Sequence, residues 1–116
     1  TFVLNNYSYY LSLRGVNLER AKEMTIKCNE LTQNEPKASF LDTYAWVLYK
    51  LKEYKLAKEQ IKKAIDLDKN SATLWEHYGD ILYQLGHVDE AVIKWKRAFL
   101  LNETNPLLRE KITQNE

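Results

Sequence analysis

Apolar residues recur along the middle of the chain at the spacing of α-helices. One set follows an i, i+3, i+4, i+7 pattern and comprises Leu41, Tyr44, Ala45 and Leu48. A second set follows an i, i+4, i+7 pattern and comprises Ala57, Ile61 and Ala64. Because such spacing brings side chains to one face of a helix, the pattern predicts two amphipathic helices joined by a short polar segment.

The same pattern returns later in the chain at a constant offset, so the chain contains internal repeats. The later copy comprises Trp75, Tyr78, Gly79, Leu82, Ala91, Trp95 and Ala98. A less regular copy comes first, with one extra residue in its turn and two extra residues within 32–35, and comprises Leu4, Tyr7, Ser8, Leu11, Ala21, Thr25 and Cys28. We therefore expect three helix-turn-helix units, at about 2–35, 37–70 and 71–104.

The few residues that break helices fall at the boundaries of these units. Gly15 and Gly86 lie in the turns of units one and three, where a positive φ is easily adopted only by glycine, and Lys52 takes the matching place in unit two. Gly79 instead lies in the middle of a predicted helix. Since glycine weakens a helix, we expect Gly79 to allow the close approach of a neighbouring helix.

A short final helix is predicted after the third unit. Asn105 followed by Pro106 is typical of an N-cap and a first helical residue. The helix is expected over 107–112, within a capping segment at about 105–114, with Leu107, Leu108 and Ile112 on its buried face. Such a segment would cover the apolar face that the last repeat leaves open.

The repeating unit resembles the tetratricopeptide repeat in its length and pattern, and the third unit carries most of the resemblance through Trp75, Tyr78, Gly79, Gly86, Ala91, Trp95 and Ala98. Unit two departs from it at Ala45, Lys52 and Lys69. The chain is similar to the final repeats of bacterial multi-repeat proteins of this family. The resemblance implies an all-α, right-handed α-solenoid of three units plus a C-terminal capping helix, in a single domain spanning 1–116.

Composition and charge agree with a helical interaction module. With 3 Gly and 2 Pro in 116 residues, the chain lacks the frequent turns of an all-β fold and the composition of a disordered chain. Its formal charge of +1 gives no global attraction to nucleic acid, and no apolar run is long enough to insert this segment into a membrane. The chain starts without Met, so we expect a fragment of a longer protein. The family resemblance favours the periplasmic side of a bacterial cell envelope and leaves the cytoplasm open.

The family resemblance implies that the first helix of each unit lines a concave groove. The groove residues expected on this basis are Asn5, Tyr9, Asp42, Trp46, Tyr49, Glu76, His77, Asp80 and Tyr83. The set is aromatic and acidic, so we expect it to bind a peptide or helix of a partner protein that carries apolar and basic residues. The alternative is that these aromatic residues only pack between adjacent helices.

Two other interaction hypotheses bear on the same sequence. Repeats that grip the acidic tails of heat-shock chaperones use Lys, Asn and Arg on successive first helices. The corresponding places here hold Asn5, Tyr9, Thr43, Thr73 and His77, with no Lys or Arg, which disfavours that role. The second hypothesis is a structural one, in which the chain forms a homodimer through its terminal repeats within a larger envelope-associated protein.

The sequence contains no motif that indicates catalysis. It lacks GxSxG, GxxxxGK[ST], GxGxxG and HExxH, so neither an enzyme nor a cofactor is predicted. Glu76, His77 and Asp80 could together offer metal ligands, but we favour a solvated or groove-contacting histidine over a metal site. Cys28 is expected to be a buried structural thiol, because it occupies a small-residue position between helices.

Overall fold

The computed structural model describes residues 2–116, which form seven α-helices and no strands. The helices are α1 (Phe2–Arg14), α2 (Leu18–Leu31), α3 (Ala38–Lys50), α4 (Tyr54–Leu67), α5 (Ala72–Gln84), α6 (Val88–Leu101) and α7 (Pro106–Asn115). They form three consecutive helix pairs followed by one further helix. The prediction of an all-α helical repeat with a final capping helix is confirmed.

The helix pairs stack into a curved array. Each first helix packs on its own second helix, and each second helix packs on the first helix of the following unit. The first helices α1, α3 and α5 also contact their counterparts directly, while α2, α4 and α6 contact one another at most marginally. Because helices on the inside of a curved stack lie closer together, the first helices form the concave side.

The turns within the three helix pairs share one backbone conformation. Gly15, Lys52 and Gly86 adopt positive φ values of 66°, 65° and 86°. In each turn the next amide donates back to a carbonyl near the end of the first helix, as in the Glu53 to Leu48 bond of 2.9 Å, which is the pattern of a Schellman motif. The extra residue of the first turn also appears, since Asn17 adds a second positive φ of 50°. The predicted correspondence of Lys52 with the two glycines is confirmed.

Small residues hold the helices of each pair together. The repeated alanines and Cys28 are fully buried, so the predicted burial of this thiol is confirmed. Gly79 lies directly against the indole of Trp95, and a Cβ added there would overlap the ring. The predicted close approach at Gly79 is therefore confirmed. The large side chain of Trp95 packs in the space left by the missing Cβ of Gly79.

Helix α7 begins as expected but continues further. The Asn105 side chain caps it by accepting from the Leu108 amide at 3.1 Å, and the helix ends at Asn115 rather than Ile112. Leu108 is buried against α6, whereas Leu107 is 67% exposed, so its predicted place on the buried face is wrong. Adjacent helical residues are turned about 100° apart, and only the i, i+4 pair Leu108 and Ile112 can face α6 together.

Tyr7 is a second departure from the predicted core. Leu11 and Ser8 of the same set are buried, but Tyr7 is exposed because no helix within residues 2–116 covers that side of α1. In the same range, no helix has the length and apolar character required to cross a membrane.

Candidate functional site

Three aromatic side chains form a continuous stack on the concave side, which we call the aromatic stack: Trp46 and Tyr49 of α3 and His77 of α5. The ring centroids of Trp46 and His77 are 4.1 Å apart with the planes 20° from parallel, and those of Trp46 and Tyr49 are 4.5 Å apart with the planes 8° from parallel. Trp46 and Tyr49 meet because residues at i and i+3 share one face of a helix. The ammonium group of Lys50 lies 5.5 Å from the Trp46 ring and adds a cation–π contact.

An ion-pair geometry fixes the imidazole of the aromatic stack. Nδ1 of His77 lies 2.7 Å from Oδ1 of Asp42, with both side chains largely buried. This contact crosses from α5 to α3 and holds the His77 ring against Trp46. Asp42 also influences Tyr9 of α1. Burial makes the larger contribution to the raised pKa of the Tyr9 hydroxyl, and the negative charge of Asp42 adds to it. No group of three potential metal ligands occurs among residues 2–116. Nδ1 of His77 contacts the Asp42 carboxylate.

Lys111 of α7 neutralises the other two groove carboxylates. Its ammonium group lies 3.1 Å from Glu76 and 2.9 Å from Asp80. Asp80 also accepts a hydrogen bond from the Trp95 indole at 3.1 Å. Burial raises the pKa of Asp80 although Lys111 opposes the shift. Burial alone would lower the pKa of Lys111, but the charges and hydrogen bonds of Asp80 and Glu76 outweigh it and raise that pKa.

The groove continues beyond the aromatic stack into a small cavity of about 310 Å³ beside α7. Tyr83 lies at its edge and is tilted against Trp95, with ring centroids 5.8 Å apart. The cavity is lined in part by Tyr49, Asp80, Tyr83, Trp95, Lys111 and Gln114. The first helices and α7 therefore form one surface that combines aromatic rings with a paired acidic cluster.

Sequence reasoning missed the contribution of α7 to this surface. A signal was present, because Lys111 takes the position of His77 in the repeat register and Gln114 takes the position of Asp80. Extending the register into α7 would have predicted both residues at groove positions, as α7 takes the place of the first helix of a further unit. What the register could not show is that Lys111 pairs with the acidic residues of α5.

The nine predicted groove residues do not all lie at the surface. Trp46, Tyr49 and His77 meet in the aromatic stack with Asp42, while Glu76 and Asp80 meet at Lys111, and Tyr9 and Tyr83 are exposed on either side. His77 is only 9% exposed but belongs to the aromatic stack. Asn5 is 6% exposed and lies outside that stack, so its expected place on the groove surface is corrected. It shares the buried face of α1 with Ser8 and Ser12, and its Oδ1 has no hydrogen-bond partner among the described residues.

Comparisons with known proteins point to one repeat family. The family described as "Anaphase-promoting complex, cyclosome, subunit 3" matches residues 17–98, which is most of the chain. No curated protein sequence matches this chain. Several solved structures share its fold at low sequence identity.

Three of these structures illustrate the similarity. The first TPR of Spaghetti (RPAP3), bound to an HSP90 peptide, has a TM-score of 0.87 at 16% identity, covering 98% of this chain and 88% of that one. The second TPR domain of human RPAP3, in complex with an HSP70 peptide, has a TM-score of 0.83 at 18% identity and covers 97% and 92%. YrrB, described as a TPR protein with an unusual peptide-binding site, has a TM-score of 0.79 at 26% identity and covers 97% and 56%.

Proposed function

Because the chain belongs to the tetratricopeptide-repeat family, through its match to the family described as anaphase-promoting complex, cyclosome, subunit 3, we propose that it binds a partner protein in its concave groove. In this proposal the protein is an interaction scaffold, and the ligand is an extended or helical segment of the partner. Solved structures of the same fold that contain bound peptides support this class of function.

The aromatic stack is the observation that carries the proposal. Its rings are held by one another and by the contact between His77 and Asp42, so they are ordered before a ligand arrives. Binding to such a surface costs little side-chain entropy, and Trp and Tyr are frequent among the residues that dominate binding energy. Packing between helices explains the stacked faces of these rings, but it does not explain why Tyr9 and Tyr83 are exposed beside them.

The internal ion pairs change the partner chemistry that we propose. The groove carries the carboxylates of Asp42, Glu76 and Asp80, but Lys111 and His77 already contact all three. Charged side chains that are satisfied within the protein add little net affinity for a ligand. We therefore place apolar and aromatic contacts first in the proposed partner, with basic residues as a secondary feature.

The test selects peptides on the intact chain and then removes the groove. Peptides would be selected from a random library on the wild-type protein, and their affinities compared with those for the double variant Trp46→Ala and Tyr83→Ala. The matched control replaces Ile93 and Leu100 of α6, which are exposed apolar residues outside the groove. We expect the groove variant to lose binding and the control to retain it, with both keeping the helical circular-dichroism signal.

Equal affinity of the selected peptides for the groove variant and the wild type would exclude this groove. Should Trp46→Ala reduce the helical signal, Tyr83→Asp provides a milder perturbation, because Tyr83 is exposed and its replacement leaves the core intact. Retained affinity in that variant would likewise count against the groove.

A second candidate function, self-association, is favoured by the outer face of α1. Val3, Tyr7 and Tyr10 follow an i, i+4, i+7 pattern there and are 79%, 45% and 50% exposed. An apolar stripe of this kind is typical of an interface. Light scattering over a concentration series is expected to show a dimer that the Tyr7→Ala, Tyr10→Ala variant lacks. A monomer at every concentration would remove this candidate.

A further inference from the structure

A second cavity, of about 410 Å³, lies between units one and two on the side of the second helices. The buried side chains of Leu41 and Gln60 form part of its lining, and Lys63 also lines it. The connection between α2 and α3, which is longer than the one between α4 and α5, contributes Gln33 and Pro36 to the lining. The groove residues do not line it.

The repeat register shows what the equivalent place holds in unit three. Leu41 corresponds to Trp75 in this register, and Lys63 corresponds to Arg97. The Trp75 indole packs against the cores on both sides of it and donates a hydrogen bond from Nε1 to the Lys69 carbonyl at 2.8 Å. The guanidinium carbon of Arg97 lies 5.7 Å from the centre of its ring. In unit two, the smaller Leu41 leaves the cavity at this place.

Gln60 gives the cavity a polar group that has no partner. The side chain is only 7% exposed, and it forms no hydrogen bond within the described part of the chain. Among the described residues, Asn5 Oδ1 is the one side-chain N or O atom that is fully buried without a partner, so the Gln60 amide is open to the cavity and can exchange hydrogen bonds with a ligand there. Its counterpart in unit three is Lys94, whose ammonium group lies 5.7 Å from the Trp75 ring.

From these observations we infer that the cavity binds a tryptophan-type aromatic side chain presented by a peptide segment of a partner protein. The ring would occupy the place that Trp75 fills in unit three. Lys63 would lie over the ring as Arg97 lies over Trp75, and the amide of Gln60 would exchange a hydrogen bond with the ligand. This second site does not depend on binding in the concave groove.

The probe for this site is N-acetyl-tryptophanamide, titrated into the full chain and followed by heteronuclear NMR. We expect saturable shifts at Gln33, Gln60 and Lys63, with a dissociation constant on the order of 1 mM, as is usual for so small a ligand. N-acetyl-leucinamide, which lacks the ring, is expected to bind several-fold more weakly. Shifts that are absent, or that occur only at the aromatic stack, would overturn the inference.

Two variants test the repeat comparison directly. Leu41→Trp places the indole of unit three into unit two, and we expect it to weaken probe binding by at least about tenfold while the helical signal is kept. Lys63→Ala is expected to weaken binding several-fold, and the matched control Lys62→Ala, which changes an exposed lysine that does not line the cavity, is expected to leave it unchanged. Wild-type affinity in Leu41→Trp would overturn the inference. If Leu41→Trp does not fold, equal affinities of the two lysine variants overturn it.

Discussion

Gly79→Ala adds a methyl group where α5 passes the indole of Trp95. The added Cβ would overlap Cδ1 and Nε1 of that ring and reach Cγ at 3.0 Å. Trp95 cannot move freely, because it is buried, donates to Asp80 at 3.1 Å and lies under the ammonium group of Lys111. The methyl group must therefore displace either the ring or the helix axis.

The expected loss of stability follows from three contributions. Overpacking of this kind costs about 2 kcal/mol, and weakening of the hydrogen bond from Trp95 to Asp80 costs about 1 kcal/mol more. The gain in helix propensity from glycine to alanine opposes these by about 1 kcal/mol. The net expectation is that Gly79→Ala lowers the free energy of unfolding by about 2 kcal/mol.

The second unit supplies the control for this prediction. Ala45 and Ile61 occupy the places of Gly79 and Trp95, and both are fully buried there. In a Trp95→Ile background, Gly79→Ala should thus raise stability by about 1 kcal/mol, which corresponds to a coupling energy of about 3 kcal/mol. Urea denaturation of the four proteins measures this coupling. A stabilising Gly79→Ala in the wild type, or an equal cost in both backgrounds, would refute the steric explanation.

Three further predictions concern charge, an unpaired amide and a turn. Lys111→Met removes the charge that keeps the pKa of buried Asp80 from rising further. A carboxyl group with a raised pKa opposes folding only at a pH where the unfolded chain ionises it, so the variant should match the wild type below about pH 4. Near neutral pH the variant should be about 1 kcal/mol less stable, as urea denaturation across this range would show. The gap should begin to close again above about pH 10.4, the unperturbed pKa of lysine, and should be gone only once the pH passes the raised pKa of Lys111. A pH-independent difference would contradict this. Asn5→Leu should raise stability by about 1 kcal/mol more than the control Asn6→Leu, because Oδ1 of Asn5 is buried without a partner; equal thermal midpoints for the two variants would count against it. Lys52→Gly should stabilise by up to about 1 kcal/mol, since Lys52 holds a φ of 65°, and a lower thermal midpoint would show that the strain is negligible.

The groove was predicted in part, and its errors have separate causes. The repeat register correctly grouped Trp46 with Tyr49, because two residues on one turn of a helix must share a face whatever packs against them. It placed Asn5 at the surface, although the packing of α1 on its neighbours decides which of its faces is buried. It described an acidic groove, since a pattern of first helices does not include a lysine contributed by α7.

The sequence by itself determined the seven-helix repeat, the turns at Gly15, Lys52 and Gly86, and the close contact at Gly79. These features follow from local backbone preferences and from a spacing that recurs along the chain, both of which are present in the order of residues. Only the tertiary structure decided that His77 contacts Asp42 and that Lys111 bridges Glu76 and Asp80. Such pairs join helices that are distant in sequence, so they depend on how the units stack and not on the periodicity of any one helix.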